Sequence, residues 1–377
     1  MRRGGVYAAG IALLSLLVAS AGFPRSTTDP LCLRSYGGAA PHPRGALRFG
    51  VAPDIAGSVG AKQTPSAPDN SAHDFAALRA LRPPGRVLVV RLSRLFWAAG
   101  DQDIAKVRHV ARRYTSAGFE VELQVRYHPP AGQAGHLRAW QSYVRRVVDA
   151  FGADRGVVAM TIANEVNVTF SPNTSDGYYP HSKDALIEGI EAAHAEAVRR
   201  GFSQLRFGFT YAYRFGPSQD AAFFVYLGAH GGRALRSALG FIGLDFYPGS
   251  LYPAVLPPGG YPAALAQATG VVRRCLAPKA EIGPRVPIWI TENGVPTVSS
   301  RHARPQAAAL SALVRAAYDY AGTFNVTDYR WFNLRDSGAP NPAALFATDG
   351  LLRANYTRKP SFSAYRRLIA RWGQLAP

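Results

Sequence analysis

Short apolar runs rich in β-branched and aromatic residues alternate along the chain with longer segments whose apolar residues recur at helical spacing. Eight runs of the first kind are present, at 47–53, 86–92, 119–127, 157–164, 205–211, 241–247, 286–292 and 327–334. Helical spacing is clearest at 103–118, 137–152, 185–201, 305–322 and, after the eighth run, 361–372. Strands that alternate with helices in this way predict a parallel sheet with crossover helices.

Eight βα units of about forty residues fit a closed α/β barrel, the (β/α)8 or TIM barrel. They fit an open doubly wound sheet less well, because such a sheet has no reason to stop at eight strands. No Gly-x-Gly-x-x-Gly follows the first strand and no Gly-rich phosphate loop is present, which disfavours nucleotide chemistry. The sequence therefore predicts one barrel domain at 47–377, with an active site at the C-terminal ends of its strands.

The N-terminal segment predicts export. Two arginines precede an apolar run at 6–19, and small residues at 19–21 are typical of a cleavage site. We expect a signal peptide at 1–21 and a secreted or extracytoplasmic protein. An uncleaved membrane anchor is the alternative, and membrane association is expected only in that case. The Pro- and Gly-rich stretch 22–46 is interpreted as an arm that leads to the barrel.

The composition is that of a globular protein with a large positive net charge. Of the 377 residues, 47% are hydrophobic, which is enough to fill one large core. A net charge of +19 would suit an anionic partner, but only five of the 43 basic residues are lysine and the arginines are spread through Ala-rich helical segments. Compositional bias is the favoured explanation, so we expect a monomer without a nucleic-acid partner. Cys32 and Cys275 are the only cysteines, and the sequence leaves open whether they pair.

Two of the predicted strands end at a glutamate. Glu165 closes the run at 157–164, and Glu292 closes the run at 286–292. Because a carboxylate at the end of a buried strand is costly to desolvate, a fold keeps one there chiefly when it is paired or does chemistry. Strands four and seven lie almost opposite each other in an eight-stranded barrel. The pattern therefore predicts two carboxylates that face each other across a central cleft.

Further polar and aromatic side chains stand near the predicted strand ends, where a barrel filled only for stability favours Val, Ile and Leu. They include Arg91, His128, Asn164, Tyr247 and Trp331. The nine histidines show no convincing metal-ligand spacing. No metal and no cofactor are therefore expected.

These residues carry a resemblance to a known group of enzymes. Asn164-Glu165 after strand four, Thr-Glu-Asn-Gly at 291–294 after strand seven and Trp331 on strand eight resemble clan A retaining glycoside hydrolases. The stretch RKPSFSAYRRL at 358–368 adds to the likeness, because many families of that clan open the last helix with a similar Lys-Pro-x-x-x-x-Tyr. Many members have Asn-Glu-Pro where this chain has Asn-Glu-Val, so no family within the clan is assigned.

The resemblance implies an enzyme that cleaves β-glycosidic bonds in a polysaccharide or oligosaccharide by double displacement, and the predicted signal peptide implies that this enzyme is secreted. Glu165 would be the general acid/base and must hold a proton, whereas Glu292 would be the nucleophile and must be ionised. Retention requires carboxyl groups about 5–5.5 Å apart, against roughly 6.5–9.5 Å for inversion. The alternatives are a catalytically silent carbohydrate-binding protein on the same barrel, or a basic surface-binding protein with its arginines clustered on one face.

The resemblance also implies roles for two residues next to the glutamates, each with a structural alternative. Arg91 would hydrogen-bond the nucleophile and keep it ionised, or would form a buried ion pair with Asp54 or Asp245. Asn164 would bind the 2-hydroxyl of the sugar, or would serve only as a strand-end turn residue.

The other three candidate residues likewise each have a role that the resemblance implies and a structural alternative. Tyr247 would donate its hydroxyl to the nucleophile, or would be a turn aromatic before proline. His128 would contact a substrate hydroxyl, or would be an ordinary loop histidine. Trp331 would offer a flat apolar face to the bound sugar, or would pack in the core.

Overall fold

The computed structural model describes residues 30–53, 68–172, 174–213, 217–297, 303–338 and 345–376. The predicted signal peptide at 1–21 lies outside the described residues. Among the helices that are described, none is long and apolar enough to cross a membrane.

Eight parallel strands close into a barrel in chain order, and the last strand pairs with the first. The strands are β1 (Arg48–Val51), β2 (Val89–Phe96), β3 (Glu120–Arg126), β4 (Val157–Ile162), β5 (Arg206–Ala212), β6 (Leu239–Asp245), β7 (Ile288–Glu292) and β8 (Val326–Trp331). Each overlaps one of the eight predicted runs. The prediction of a TIM barrel is confirmed.

Helices surround the barrel and bury their apolar sides against the outer face of the strands. The longer ones are Ser71–Leu81, Gly100–Ser116, Leu137–Phe151, Ser182–Arg200, Pro217–Ala238, Gly260–Val271, Ala303–Asp319 and Pro360–Trp372. The helix Leu137–Phe151 shows why they form. It buries Trp140, Val144, Val147 and Phe151, which are spaced four, three and four residues apart and so share one face of the helix. The main hydrophobic core therefore lies between the sheet and the helices.

Strand β2 differs from its predicted bounds in a way that affects the site. It continues to Phe96, beyond the predicted end at residue 92, and its register against β3 shifts between Leu92 and Leu95. Arg91 therefore lies inside the strand and not at its end, with Glu122 of β3 as its register partner.

The barrel interior is charged, unlike the aliphatic filling that is usual for this fold. Glu122 accepts hydrogen bonds from Arg91 Nε at 3.2 Å and from Arg330 Nε at 3.0 Å, and Arg330 Nη2 donates to Asp328 Oδ1 at 2.8 Å. These four residues are at most 3% exposed. Such ion pairs are costly to desolvate, so each partner depends on the others for compensation.

The N-terminal arm is fastened to the barrel by a disulfide. Cys32 pairs with Cys275, with Cα atoms 5.1 Å apart. The backbone amide of Tyr36 also donates to Gln267 Oε1 at 2.6 Å, and the Gly322 amide donates to the His42 carbonyl at 2.7 Å. The sequence left the cysteine pairing open because the two residues are 243 positions apart, and the fold brings them together.

Candidate active site

Glu292, the last residue of β7, is held through both of its carboxylate oxygens. Arg91 Nη1 lies 2.5 Å from Oε1, and the hydroxyl of Tyr247 donates to Oε2 at 2.8 Å. Glu292 keeps only 9% of its surface exposed. Charge-assisted bonds to both oxygens fix the rotamer of this carboxylate. The structure thus brings Arg91 and Tyr247 to the side chain with which the sequence associated them.

Arg91 and Tyr247 have shifted pKa values that fit this arrangement. Burial alone would lower the pKa of Arg91, but the carboxylates of Glu292, Asp245 and Glu122 outweigh it and raise the pKa, so the guanidinium is a permanent cation. Burial, together with the charges of Glu292 and Asp245, raises the pKa of Tyr247 well above 10. Tyr247 therefore remains a hydrogen-bond donor at every working pH.

Glu165 follows β4 on a backbone that most residues avoid. Its φ is 44° and that of Ala163 is 60°, both in the left-handed region. The strain is held by the loop that follows, because the Ser175 hydroxyl donates to the Glu165 carbonyl at 3.0 Å, and by β5, where Thr210 Oγ1 accepts from the Glu165 amide at 3.0 Å. Strained backbone of this kind persists where the surroundings over-determine it, and it aims the carboxyl into the cleft.

Asp176 is the anchor of that loop. Its Oδ2 accepts from the amides of Tyr127 at 2.8 Å and Asn164 at 2.9 Å, and its Oδ1 accepts from Arg126 Nε at 2.8 Å. The Asp176 amide in turn donates to the Asn164 carbonyl at 2.9 Å. One buried carboxylate therefore joins the ends of β3 and β4.

Asn164 lies beside Glu165 with its side-chain amide largely engaged by protein. Its Oδ1 accepts from Gln124 Nε2 and from Thr210 Oγ1, the latter at 2.9 Å, and its Nδ2 donates to the Thr174 carbonyl at 2.7 Å. One Nδ2 proton is left to reach the cleft, which Asn164 lines. The orientation of this amide is thus set before any ligand binds.

A third carboxyl belongs to the same cluster. Asp245 ends β6 in register with Glu292, and one carboxylate oxygen each of Glu165, Asp245 and Glu292 lies within 4.8 Å of the others. Asp245 Oδ1 accepts from Thr291 Oγ1 at 2.7 Å, while its buried Oδ2 has no hydrogen-bond partner. Burial and the neighbouring charge of Glu292 raise the pKa of Asp245 well above 3.8, against the opposing effect of Arg91. This shift favours the protonated form of the Asp245 carboxyl.

Three carboxylates so close together have the composition of a cation site. Both oxygens of Glu292 already accept hydrogen bonds from protein side chains, however. One of these donors is the guanidinium of Arg91, which supplies a positive charge next to the carboxylates. The cluster is thus suited to proton transfer and nucleophilic attack more than to holding a metal ion. Chemistry without a metal or cofactor stays a prediction.

The cleft above the cluster is lined by residues from most of the barrel strands and the loops that follow them. They are Ser93, Phe96, Gln124, Arg126, Asn164, Glu165, Thr174, Ala212, Tyr213, Asp245, Tyr247, Leu251, Glu292, Phe332 and Phe346. Arginine, glutamine and asparagine side chains offer donors for sugar hydroxyls, and the aromatic rings offer flat apolar faces.

The prediction that Trp331 provides such a face is corrected by the structure. Trp331 is fully buried in the main core, and its Nε1 donates to the Asp349 carbonyl at 2.8 Å. Successive side chains of a strand point to opposite faces, and since Arg330 points into the barrel, Trp331 points outward toward the helices. Phe332, one residue on, faces the cleft and packs against Tyr247. The alternative of core packing therefore holds for Trp331, and Phe332 takes the predicted place.

His128 lies beside the cleft, outside the residues that line it. Its Nε2 is 3.4 Å from Asp176 Oδ1, and its ring packs on Phe96 with centroids 5.0 Å apart. Burial lowers the pKa of His128, as does Arg126, while Asp176 opposes them. Arg126 lines the cleft, whereas His128 contacts Arg126 and does not line the cleft itself. The contact of His128 with a substrate hydroxyl stays a prediction. Asp54, one proposed alternative partner of Arg91, lies outside the described residues.

Three residues of the cleft, Gln124, Arg126 and Phe332, were not predicted from the sequence, and Asp245 was expected only as a possible partner of Arg91. A signal for the first two was present: polar residues occupy every second position of β3, at 120, 122, 124 and 126. That period of two predicts one polar face in a strand whose other face is apolar. Asp245 stands two residues before Tyr247, and the same period predicts that both point into the barrel.

Comparison with known proteins identifies the architecture. No protein-family model and no curated protein matches the chain. Among solved structures, a GH5_18 protein from Bifidobacterium longum subsp. infantis is similar with a TM-score of 0.60 and 14% identity, over 88% of this chain and 80% of that one. The β-glucosidase from Thermotoga maritima in complex with noeuromycin is similar with a TM-score of 0.58 and 14% identity, over 89% and 99%.

The exo-β-1,4-mannosidase Op5Man5 from Opitutaceae bacterium strain TAV5 is also similar, with a TM-score of 0.57 and 11% identity. The match covers 87% of this chain and 60% of the mannosidase. These similarities confirm the predicted resemblance in fold to clan A glycoside hydrolases, with no family assigned. At such identities the likeness is one of fold, so an argument about activity has to rest on the residues of the site.

Proposed function

We propose that this protein is a retaining glycoside hydrolase that cleaves β-glycosidic bonds in an oligosaccharide or polysaccharide. The observation that carries the proposal is the pair of strand-end glutamates, Glu165 and Glu292, with carboxylate oxygens within 4.8 Å of each other. This separation supports retention, because an inverting enzyme needs a gap of roughly 6.5–9.5 Å for a water molecule.

In the first step, Glu292 attacks the anomeric carbon while the bond from that carbon to the leaving oxygen breaks. Glu165 donates its proton to that oxygen, so an alcohol departs and a glycosyl ester remains on Glu292. In the second step, Glu165 accepts a proton from water as the water oxygen attacks the anomeric carbon. The ester bond breaks, and Glu292 returns to its ionised form.

The contacts of Glu292 suit this role. Arg91 and Tyr247 each hold one of its oxygens, so the carboxylate is oriented before the substrate arrives and does not reorganise during attack. The raised pKa of Asp245 favours its protonated form, which limits repulsion, because an ionised third carboxyl at this distance would repel Glu292 and the developing charge on Glu165.

Substrate binding is assigned to the polar and aromatic wall of the cleft. Asn164, Gln124 and Arg126 offer hydrogen-bond donors, and Phe332 with Tyr213 offers apolar faces for a sugar ring. The names of the similar structures, a β-glucosidase and an exo-β-1,4-mannosidase, support a β-linked hexose as the first substrate to examine.

We further propose that the protein is exported. The predicted signal peptide at 1–21 supports this, and the disulfide between Cys32 and Cys275 fits an oxidising compartment. N-terminal sequencing of the protein from the extracellular or periplasmic fraction tests it. An intact residue 1 would contradict cleavage.

The activity is tested with aryl β-glycosides of different sugars, using wild type and Glu292→Ala with and without azide. We expect the variant to lose at least 10³-fold in kcat and to regain turnover with azide, giving a glycosyl azide of inverted configuration. The matched Glu165→Ala variant should give a glycosyl azide of retained configuration. If each variant gave the opposite azide, the two roles would be exchanged.

The same panel separates the enzyme from a silent binding protein. Absence of turnover on all aryl glycosides and on β-linked polysaccharides, together with sugar binding by the wild type, would overturn the glycosidase and support the binding protein. Activity that survives replacement of both glutamates would contradict the assigned site.

A further inference from the structure

A groove of about 910 Å³ lies at the N-terminal end of the barrel, opposite the candidate active site. Its wall includes the beginnings of β7 and β8 and the segment before β7. Six arginines line it, namely Arg44, Arg48, Arg206, Arg273, Arg274 and Arg285. Asp328 is the only acidic residue among the described residues of the lining, and Arg330 already pairs with it at 2.8 Å. The groove is therefore strongly positive.

Five of these six arginines have no ion-pair partner among the described residues. Arg206, Arg274 and Arg285 are exposed and are available to a ligand. Arg48, by contrast, lies 3.3 Å from Glu120, and Arg44 Nη1 donates to Asn325 Oδ1 at 3.2 Å. Compositional bias explains many arginines on the surface, but it does not explain why they converge on one concave wall.

Two buried N–H donors in the same lining point to a ligand more specifically. Arg273, 7% exposed, donates from Nε to the Phe324 carbonyl at 3.0 Å and from Nη2 to the Val286 carbonyl at 2.7 Å, while its Nη1 has no partner. Trp289, 2% exposed, also leaves its Nε1 without a partner. A buried donor without a partner loses its hydrogen bond to water on folding, and a ligand oxygen would restore a hydrogen bond to it.

Both donors are rigidly placed. The two backbone carbonyls fix the guanidinium plane of Arg273, and the ring of Trp289 stacks on Phe241 with centroids 3.8 Å apart. Burial, and then the charge of Arg274, lowers the pKa of Arg273 to about 10. Among the described residues, no anion forms an ion pair with this guanidinium.

We propose that this groove is a second ligand site, which binds a phosphate or sulfate group carried on a sugar-sized molecule. Guanidinium forks match the oxygens of such groups in geometry and charge. The volume of the groove falls in the range of small-molecule sites, about 300–1,000 Å³, and exceeds the need of a bare ion. The site is separate from the glutamate cluster and does not depend on the glycosidase proposal.

Calorimetric titration of the full chain at constant ionic strength tests the site, with glucose 6-phosphate, glucose 6-sulfate, inorganic phosphate and glucose as probes. We expect at least one of the two esters to bind. The ester that binds more tightly shows whether the site prefers a phosphate or a sulfate group. The triple variant Arg206→Gln, Arg274→Gln, Arg285→Gln should weaken binding at least tenfold. Trp289→Phe, which keeps the stacked ring and removes one donor, should weaken it at least threefold.

The matched control removes three exposed arginines from the helical side of the barrel, in the triple variant Arg138→Gln, Arg145→Gln, Arg233→Gln. It changes the net charge equally and should leave the affinity unchanged. Equal weakening in both triple variants, or no binding of either ester, would overturn the site. Inorganic phosphate or glucose binding as tightly as the esters would overturn the ligand class. Heparin binding lost in the groove variant without any ester binding would instead indicate a polyanion surface.

Discussion

Arg91 and Glu292, which are 201 positions apart in the chain, are joined inside the barrel by a contact of 2.5 Å between Nη1 and Oε1. The same guanidinium donates from Nε to Glu122, which Arg330 also holds. The candidate nucleophile thus lies at one end of a buried row of alternating charges, which runs from Glu292 through Arg91 and Glu122 to Arg330. The orientation of Glu292 therefore depends on that row as well as on its own strand.

Replacement of Arg91 tests this dependence. We expect Arg91→Met to lower kcat at least 100-fold and to destabilise the fold by about 3–5 kcal/mol, because buried carboxylates lose their compensating charge. Arg91→Lys keeps the charge but cannot bond two carboxylates as a planar fork, so its losses should be intermediate. Kinetics and denaturant unfolding measure both effects. Equal behaviour of the two variants would show that charge is irrelevant.

The hydroxyl of Tyr247 is expected to matter for catalysis and little for stability. Tyr247→Phe removes the donor to Glu292 Oε2 but keeps the ring against Phe332 and Phe346. We expect kcat to fall about 10- to 100-fold, as for loss of one preorganised donor. Tyr318→Phe, on an outer helix, serves as the control for tyrosine replacement. A wild-type kcat in Tyr247→Phe would exclude a role for the hydroxyl.

Because Phe332 lines the cleft and Trp331 packs in the core, replacing each of them should have a different effect. Phe332→Ala removes a cleft wall, so we expect KM to rise at least fivefold with a smaller loss of stability. Trp331→Phe removes core volume and the donor to the Asp349 carbonyl, so we expect a lower melting temperature with KM nearly unchanged. Thermal unfolding and Michaelis kinetics on both variants distinguish them. A raised KM only in Trp331→Phe would restore the original interpretation.

Asp245 predicts a pH dependence of stability. Burial raises the pKa of Asp245 in the folded protein above its unfolded value, so its contribution to stability is complete below the unfolded pKa near 3.8 and is lost as pH rises. We expect Asp245→Asn, which cannot ionise, to gain stability relative to wild type between pH 5 and pH 8. Unfolding free energies measured across that range test the sign. A gain that grows toward low pH would contradict a raised pKa.

The kinetics of the same variant test whether the neutral form is the active one. At pH 6 we expect Asp245→Asn to keep kcat/KM within about fivefold of wild type, since an amide resembles a protonated acid in shape and donors. Asp245→Ala should lose more, because it leaves the Thr291 hydroxyl unpaired. A loss above 100-fold in a folded Asp245→Asn protein would show that Asp245 acts as a carboxylate.

Asp176 is expected to support the strained backbone of Glu165. Asp176→Ala leaves the amides of Tyr127 and Asn164 and the guanidinium of Arg126 unpaired, so we expect a destabilisation of about 3 kcal/mol or more and a lower kcat. Ser175→Ala, which removes only the bond to the carbonyls of Glu165 and Val168, should cost less. Unfolding and kinetics at one pH measure both. An unchanged kcat in Asp176→Ala would separate the loop from catalysis.

The sequence by itself determined the barrel and the two glutamates. Strand and helix patterns are local, because they follow from the periods of two and 3.6 residues along the chain. All eight strands and the positions of Glu165 and Glu292 at strand ends were therefore predictable. Once the strands are parallel and eight in number, closure into a barrel places those ends on one face.

Tertiary structure alone decided which neighbouring side chains face inward and which distant ones meet. The phase of β8 turns Trp331 to the core and Phe332 to the cleft, and the register between β6 and β7 makes Asp245 a third member of the cluster. Tertiary structure likewise decided that Cys32 pairs with Cys275. It also decided that arginines such as Arg206 converge on the groove at the N-terminal end of the barrel. Contacts between residues far apart in the chain depend on register and barrel geometry, which no local pattern encodes.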